Sequence, residues 1–210
     1  MKKYFIIIIL IGINSFGQIS KDKIYNSIDE ALLNPLEAKT LYLSDTNLIK
    51  LPIEILKLEK LERIELDGNP NINIEQVLGI ISKLKNLKYL DLSEDNISIL
   101  PETIGSLKKL EFLYLDDNNI SVLPKSINNL SKLIELHIDS NKLNKLSFID
   151  SDLPNLTNIN LNYNDFTEFP IELCYLKNIK RVMLWYNKIS FISEKISEFE
   201  NIEELNLDFN

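Results

Sequence analysis

The sequence predicts an α/β solenoid, with one short parallel strand per coil on one side and short helical, 3-10 or extended segments on the other. Three observations predict it. A 23-residue period runs from Ala38 to Asn210, each period opens on alternating apolar and polar residues, and an asparagine recurs where that alternation ends. The leucines set the register: Leu87, Leu90, Leu92, Ile97, Leu100, Pro101, Ile104 and Leu107 are each followed 23 residues later by a matching residue, from Leu110 to Leu130. The template also starts at Ala38, Leu61, Leu133, Leu156, Ile179 and Ile202, giving seven full units and nine positions of an eighth, and one unit, Leu61 to Leu87, has 26 residues. A unit this small cannot bury its own apolar face, so stacked neighbours must supply the core.

Taken in order, Met1 to Gly17 reads as a secretory signal, with Lys2 and Lys3 at its start, an apolar run from Tyr4 to Ile13, and a small-residue cleavage pattern at Ser15-Phe16-Gly17. The run is about half of the ~20 residues that span a bilayer. Cleavage after Gly17 is therefore expected, with a retained N-terminal anchor as the alternative. Residues 18–37 then form an N-terminal helical cap. Ser27 followed by Glu30 is the pattern of a capping box, opening a helix through Leu33 that Pro35 stops. The repeats occupy 38–210.

Within a coil, Leu110 to Asp117 alternates with period 2, which predicts a strand with Leu113 and Leu115 inward and Phe112, Tyr114 and Asp116 outward. Eight such strands, paired in parallel about 4.8 Å apart, are expected. Pro52, Pro101, Pro124 and Pro170 lack a donor and suit a bend on the outer side. Ser147 and Ser193 replace that proline and Asp150 replaces an apolar anchor, which predicts a looser outer side in the fifth coil. In the 26-residue unit, Val77, Ile80, Ile81 and Leu84 recur at helical spacing after Asn73 and Gln76, predicting a helix of two to three turns that serves packing alone.

Asn69, Asn118, Asn141, Asn164, Asn187 and Asn210 close six of the strands. An amide carries donors and an acceptor on one short side chain, so these six should form a ladder that satisfies interior backbone groups. Thr46 and Asp95 break the series, and a local adjustment involving Asn96 is expected there.

These residues resemble the leucine-rich repeat family, pattern LxxLxLxxNxLxxLPxxIxxLxx, in its 23-residue Leu-Pro form, over Ala38 to Asn210. The resemblance implies a leucine-rich repeat solenoid, right-handed and curved, with the parallel sheet on the concave face. The signal ending in Ser-Phe-Gly-Gln and the segment Tyr25 to Pro35 resemble secreted repeat proteins of the Bacteroidetes.

Charge and composition narrow the function. The formal net charge is −8; without Lys2 and Lys3 there are 21 basic and 31 acidic residues, or −10. Nucleic acid and anionic membrane surfaces call for a basic face, so neither is expected as a partner. No membrane insertion is expected after cleavage. Cys174 is the only cysteine, excluding an internal disulfide, and reads as an inert, partly buried thiol. His137 is the only histidine, and no glycine-rich phosphate loop or cluster of metal ligands occurs, so no enzyme, cofactor or metal is expected. Asn-x-Ser/Thr triplets at Asn96, Asn119, Asn129 and Asn155 arise from the repeat itself.

The outward strand positions deliver side chains to one surface. There Tyr89, Phe112, Tyr114, His137, Tyr163, Trp185 and Tyr186 are expected to anchor a protein or peptide, and Asp91, Asp116, Asp117 and Asp139 to select a basic one. Cross-strand packing and solubility are the alternative explanation of those aromatics and acids. The expected function is a secreted, periplasmic or cell-surface module for protein–protein interaction. A surface-structural or adhesin-like role and a hydrolase using Asp116 and Asp139 are the alternatives, as is calcium held by Asp116, Asp117 and Asp139. The last coil, presenting Leu205 and Leu207, would permit self-association.

Overall fold

The computed structural model describes residues 23–146 and 153–210. The signal segment, Ser147 and Asp150 lie outside the described residues. The described residues form one parallel sheet of nine strands in sequence order. They are β1 (Ile24–Tyr25), β2 (Thr40–Tyr42), β3 (Arg63–Glu65), β4 (Tyr89–Asp91), β5 (Phe112–Tyr114), β6 (Glu135–His137), β7 (Asn158–Asn160), β8 (Arg181–Met183) and β9 (Glu204–Asn206).

The expected eight strands become nine because Ile24 and Tyr25 pair with Thr40 and Leu41. Tyr25 is fully buried and lies over the end of the core. Behind β1, helix α1 (Ile28–Leu32) starts where the Glu30 N–H donates to Ser27 Oγ at 3.1 Å. Only half of the capping box forms. The Glu30 carboxylate pairs instead with Lys23 Nζ at 3.0 Å.

Register fixes the core. The middle residue of each strand, from Leu41 through Ile64, Leu90, Leu113, Leu136 and Ile159 to Val182, aligns with its neighbours and is buried. Period 2 then turns the first and third strand residues away from that core. Each coil leaves the sheet at its eighth position in left-handed backbone, as at Gly68 (φ 71°), Asp117 (φ 52°) and Ser140 (φ 51°). The hydrogen-bond ladder persists through this turn: the Asp117 N–H donates to Asp139 O and the Ser140 N–H to Asn162 O.

Among the described residues five 3-10 turns run opposite the sheet, Ile53–Lys57, Glu102–Ser106, Lys125–Asn129, Ile171–Tyr175 and Glu194–Glu198. Pro52, Pro101, Pro124 and Pro170 precede four of them in extended backbone, which their fixed φ favours. Ser193 takes the proline's place before the fifth, accepting from the Lys195 N–H at 3.3 Å. Gly105 lets two of these turns touch: a Cβ there would lie 2.4 Å from Ser126 O. The 26-residue coil carries helix α2 (Ile74–Ile81), capped by Asn73 Oδ1, which accepts from the Gln76 N–H at 3.0 Å. Val77, Leu78, Ile80 and Ile81 are buried beneath it. Among the described residues no helix is long and apolar enough to cross a membrane.

Candidate functional site

The asparagine ladder forms the floor beneath the outward surface. Asn118 Nδ2 donates to Leu92 O of the preceding coil at 2.8 Å and to Leu115 O of its own at 3.1 Å, while its Oδ1 accepts from the Ile97 N–H at 2.8 Å. Asn141, Asn164, Asn187 and Asn210 repeat the pattern, each accepting from a backbone N–H of the coil before. Asn69 likewise joins Leu43 O and Leu66 O and accepts from the Leu48 N–H. Both breaks are accommodated by backbone. Thr46 Oγ1 donates to Leu43 O at 2.7 Å, Asp95 Oδ1 accepts from the Asn69 N–H at 2.7 Å, and the following residues, Asn47 and Asn96, turn left-handed. Asp95 is nearly fully buried, its Oδ2 has no partner, and burial pushes its carboxyl up to about 8.

Over this floor the outward residues separate into two groups. In the first, Arg63 lies 3.4 Å from the Tyr89 ring centroid, Tyr89 is 5.1 Å from Tyr114, and Tyr114 stacks on His137 at 4.5 Å. Tyr89 also touches Phe112, at 6.2 Å. Arg63 is held by its ion pair with Glu65, and His137 Nε2 stands 3.5 Å from Glu135 Oε2. Burial, followed by the nearby Asp91, raises the Tyr89 hydroxyl pKa; burial, then Glu135, takes Tyr114 up to about 12. Both phenols are therefore neutral donors at ordinary pH. Tyr89, expected as an exposed anchor, is only 9% exposed, because Arg63, Phe112 and Tyr114 close over it. It braces the row and leaves Phe112, Tyr114 and His137 as its partly accessible members.

The second group is the more exposed one. Tyr163 and Tyr186 stack at 4.8 Å with planes 7° apart, and Tyr186 stacks on Phe209 at 4.8 Å and 5°. Trp185 stands edge-on to all three, at 5.2, 4.8 and 6.0 Å. The repeat spacing places one ring per coil, which is how a sequence period becomes a physical stack.

Three of the four acids accept hydrogen bonds from neighbouring residues, Asp139 Oδ2 from Ser140 Oγ at 3.1 Å. Asp116 Oδ1 accepts from the Asp139 N–H at 2.6 Å, which clips one coil to the next. Asp91 Oδ1 accepts from the Ser93 N–H and Oγ at 3.0 and 2.7 Å. Burial raises the carboxyl pKa of Asp91, Asp116 and Asp139, with Asp116 reaching about 6, where His137 and the Asp139 N–H oppose the shift. Glu135 is held below its ordinary value, first by its hydrogen bond with His137. Asp117 is exposed. Among the described residues no group of three His, Cys, Asp or Glu side chains is arranged to hold a metal ion. Cys174 is buried, and burial pushes its thiol up, away from the reactive thiolate.

Two features were missed in the sequence. Arg63 is a cation stacked within the first aromatic group, signalled only by its place at the third position of its coil. A second asparagine ladder runs along another corner: Asn86, Asn155, Asn178 and Asn201 donate to carbonyls of the coil before, at 2.6–2.8 Å. Its signal was the 23-residue recurrence of Asn155, Asn178 and Asn201.

A family model described as leucine-rich repeat region matches residues 72–209. The chain belongs to the leucine-rich repeat family. Among solved structures, this repeat protein is similar to a leucine-rich repeat protein of Leptospira interrogans, at 30% identity and TM-score 0.60 over 90% of this chain and 59% of that one. It thus spans a little under three fifths of that protein. Internalin C2 from Listeria monocytogenes is 27% identical, with TM-score 0.63 over 79% of this chain and 69% of its own. The plant peptide hormone receptor RGFR1, solved in complex with RGF2, shares the fold at 21% identity and TM-score 0.62, over 88% of this chain and 34% of its own. No curated protein matches the sequence. A family of this fold supports a protein–protein interaction module.

Proposed function

We propose that this leucine-rich repeat protein is a secreted, non-catalytic module, periplasmic or at the cell surface, that binds a protein or peptide on the outward, concave face of its sheet. The observation that carries the reading is the row Phe112, Tyr114 and His137, built on strands fixed by an uninterrupted parallel register. These side chains are positioned before a partner arrives, so little ordering entropy is lost on binding. Aromatic side chains supply large contact area with few rotors. The acids beside them, Asp91, Asp116, Asp117 and Asp139, favour a basic partner, with Asp117 the most accessible. Secretion rests on the Met1 to Gly17 pattern.

The test is positional. A photo-crosslinking residue placed at Phe112, and in a second variant at the exposed Ile99 away from the sheet face, would be exposed to the secreted proteins of the source organism. Specific adducts from position 112 and none from 99 are expected. Equal adducts from both, or none from 112, would reject the face.

A further inference from the structure

The eighth position of each coil, at the turn leaving the sheet, carries its own pattern. Its backbone is left-handed, a conformation that suits glycine, asparagine and aspartate and disfavours bulky side chains. Asp45, Glu94 and Asp117 occupy it in three of the first four coils, with φ of 52–57°. In the last three it holds Tyr163, Tyr186 and Phe209, with φ of 47°, 53° and 56°. Folding does not call for rings here. They enter no core, Tyr163 and Tyr186 are each 43% exposed, and smaller residues fill the same position elsewhere. Three successive aromatics at a position that resists them point to a surface kept for contact.

We propose that this rim, from Glu94 and Asp117 to Tyr163, Tyr186 and Phe209, binds an extended polypeptide segment that is cationic in one half and apolar in the other. The proposal rests on the binding-module reading and names the chemistry of the partner. Five coil steps separate Glu94 from Phe209; at about 4.8 Å each they give a track of about 24 Å, the length of about seven extended residues. One half of the track is acidic. In the other half the charge of Lys188 is matched by Asp165 at 2.5 Å. The net charge of −8 steers such a segment inward. Both faces of Tyr186 are covered by its neighbours, so the stack presents ring edges and phenol hydroxyls. Those suit aliphatic or proline side chains and backbone carbonyls, as in other aromatic-lined peptide grooves.

Trp185 provides the readout, being the only tryptophan and touching all three rings. The probe is a synthetic ten-residue peptide with Lys and Arg in one half and Leu and Pro in the other, compared with a version carrying Glu for each cation. The cationic peptide should change Trp185 emission saturably. Tyr186→Asn, which suits left-handed backbone and whose fold is checked by circular dichroism, should weaken binding at least tenfold, and Ile99→Ala, at an exposed site away from the sheet face, should leave it within twofold. Binding unaffected by Tyr186→Asn, equal binding of the Glu version, or no emission change with either peptide would overturn the rim. Affinity lost with Phe112→Ala alone would move the peptide to the sheet face, rejecting the rim and retaining the wider reading. Rim binding with no crosslinks from position 112 would do the reverse.

Discussion

Asp95 stands in the asparagine ladder without an amide. Its neighbour Asn118 donates from Nδ2 to two carbonyl oxygens, whereas Asp95 Oδ2 is buried with no partner. An ionised carboxylate has no proton to give at such a position; a protonated one does. Burial, reinforced by Asp67, Asp91 and Glu94, raises this carboxyl to about 8, so the folded chain holds the proton more tightly than the unfolded chain does. The stabilisation is fully present below the unfolded value of about 4 and is lost as pH rises through about 8. Asp95→Asn is therefore expected to leave stability nearly unchanged at pH 4 and to raise it by about 1–3 kcal/mol at pH 9. Urea denaturation of both proteins at the two pH values checks this. A variant less stable than the parent at pH 9 would show that the carboxylate is accommodated as an anion.

At the scale of elements, helix α2 is tied to the preceding coil by one side chain. Gln76 Oε1 accepts from the Leu51 N–H at 3.0 Å and its Nε2 donates to Leu51 O at 2.8 Å. Gln76→Ala should cost about 1–3 kcal/mol by leaving both groups unpaired, with faster hydrogen exchange at the Leu51 amide. An unchanged denaturation midpoint would mean that water takes over both bonds. Such pairings were not legible in the sequence, because Gln76 read only as part of a helix cap. Coil register was legible, since the inward strand positions are apolar in all eight coils and one slip would expose every buried strand residue. Strand β1 was not: two residues carry no period. The aromatic positions could be read, but their burial could not. Tyr89 and Tyr186 both face away from the leucines, and the closure of Arg63, Phe112 and Tyr114 over the first buries it while the second stays 43% exposed.

Acids of the whole molecule shift its stability toward low pH. Burial raises Glu65, Asp91, Asp95, Asp116 and Asp139, all in adjacent coils near the sheet's outward face. Each is more readily protonated folded than unfolded, so each contributes stability that fades as pH rises through its folded value. Glu135 opposes them, as do the fully exposed and therefore well-screened Glu30, Glu102 and Glu203: a lowered value contributes stability present above the unfolded pKa and lost on acidification. The five raised carboxylates are the more buried and outweigh these, and protonating them also reduces the repulsion within a chain of net charge −8. Thermal melts from pH 4 to 9 should place the maximum near pH 5, with the melting temperature falling several degrees by pH 8.5. Because part of that fall is repulsion between acids, raising NaCl from 0.05 to 0.5 M should recover more stability at pH 8.5 than at pH 5. A maximum above pH 7, or equal salt effects at both pH values, would mean that these carboxylates lie in better-solvated surroundings than the stacked coils provide.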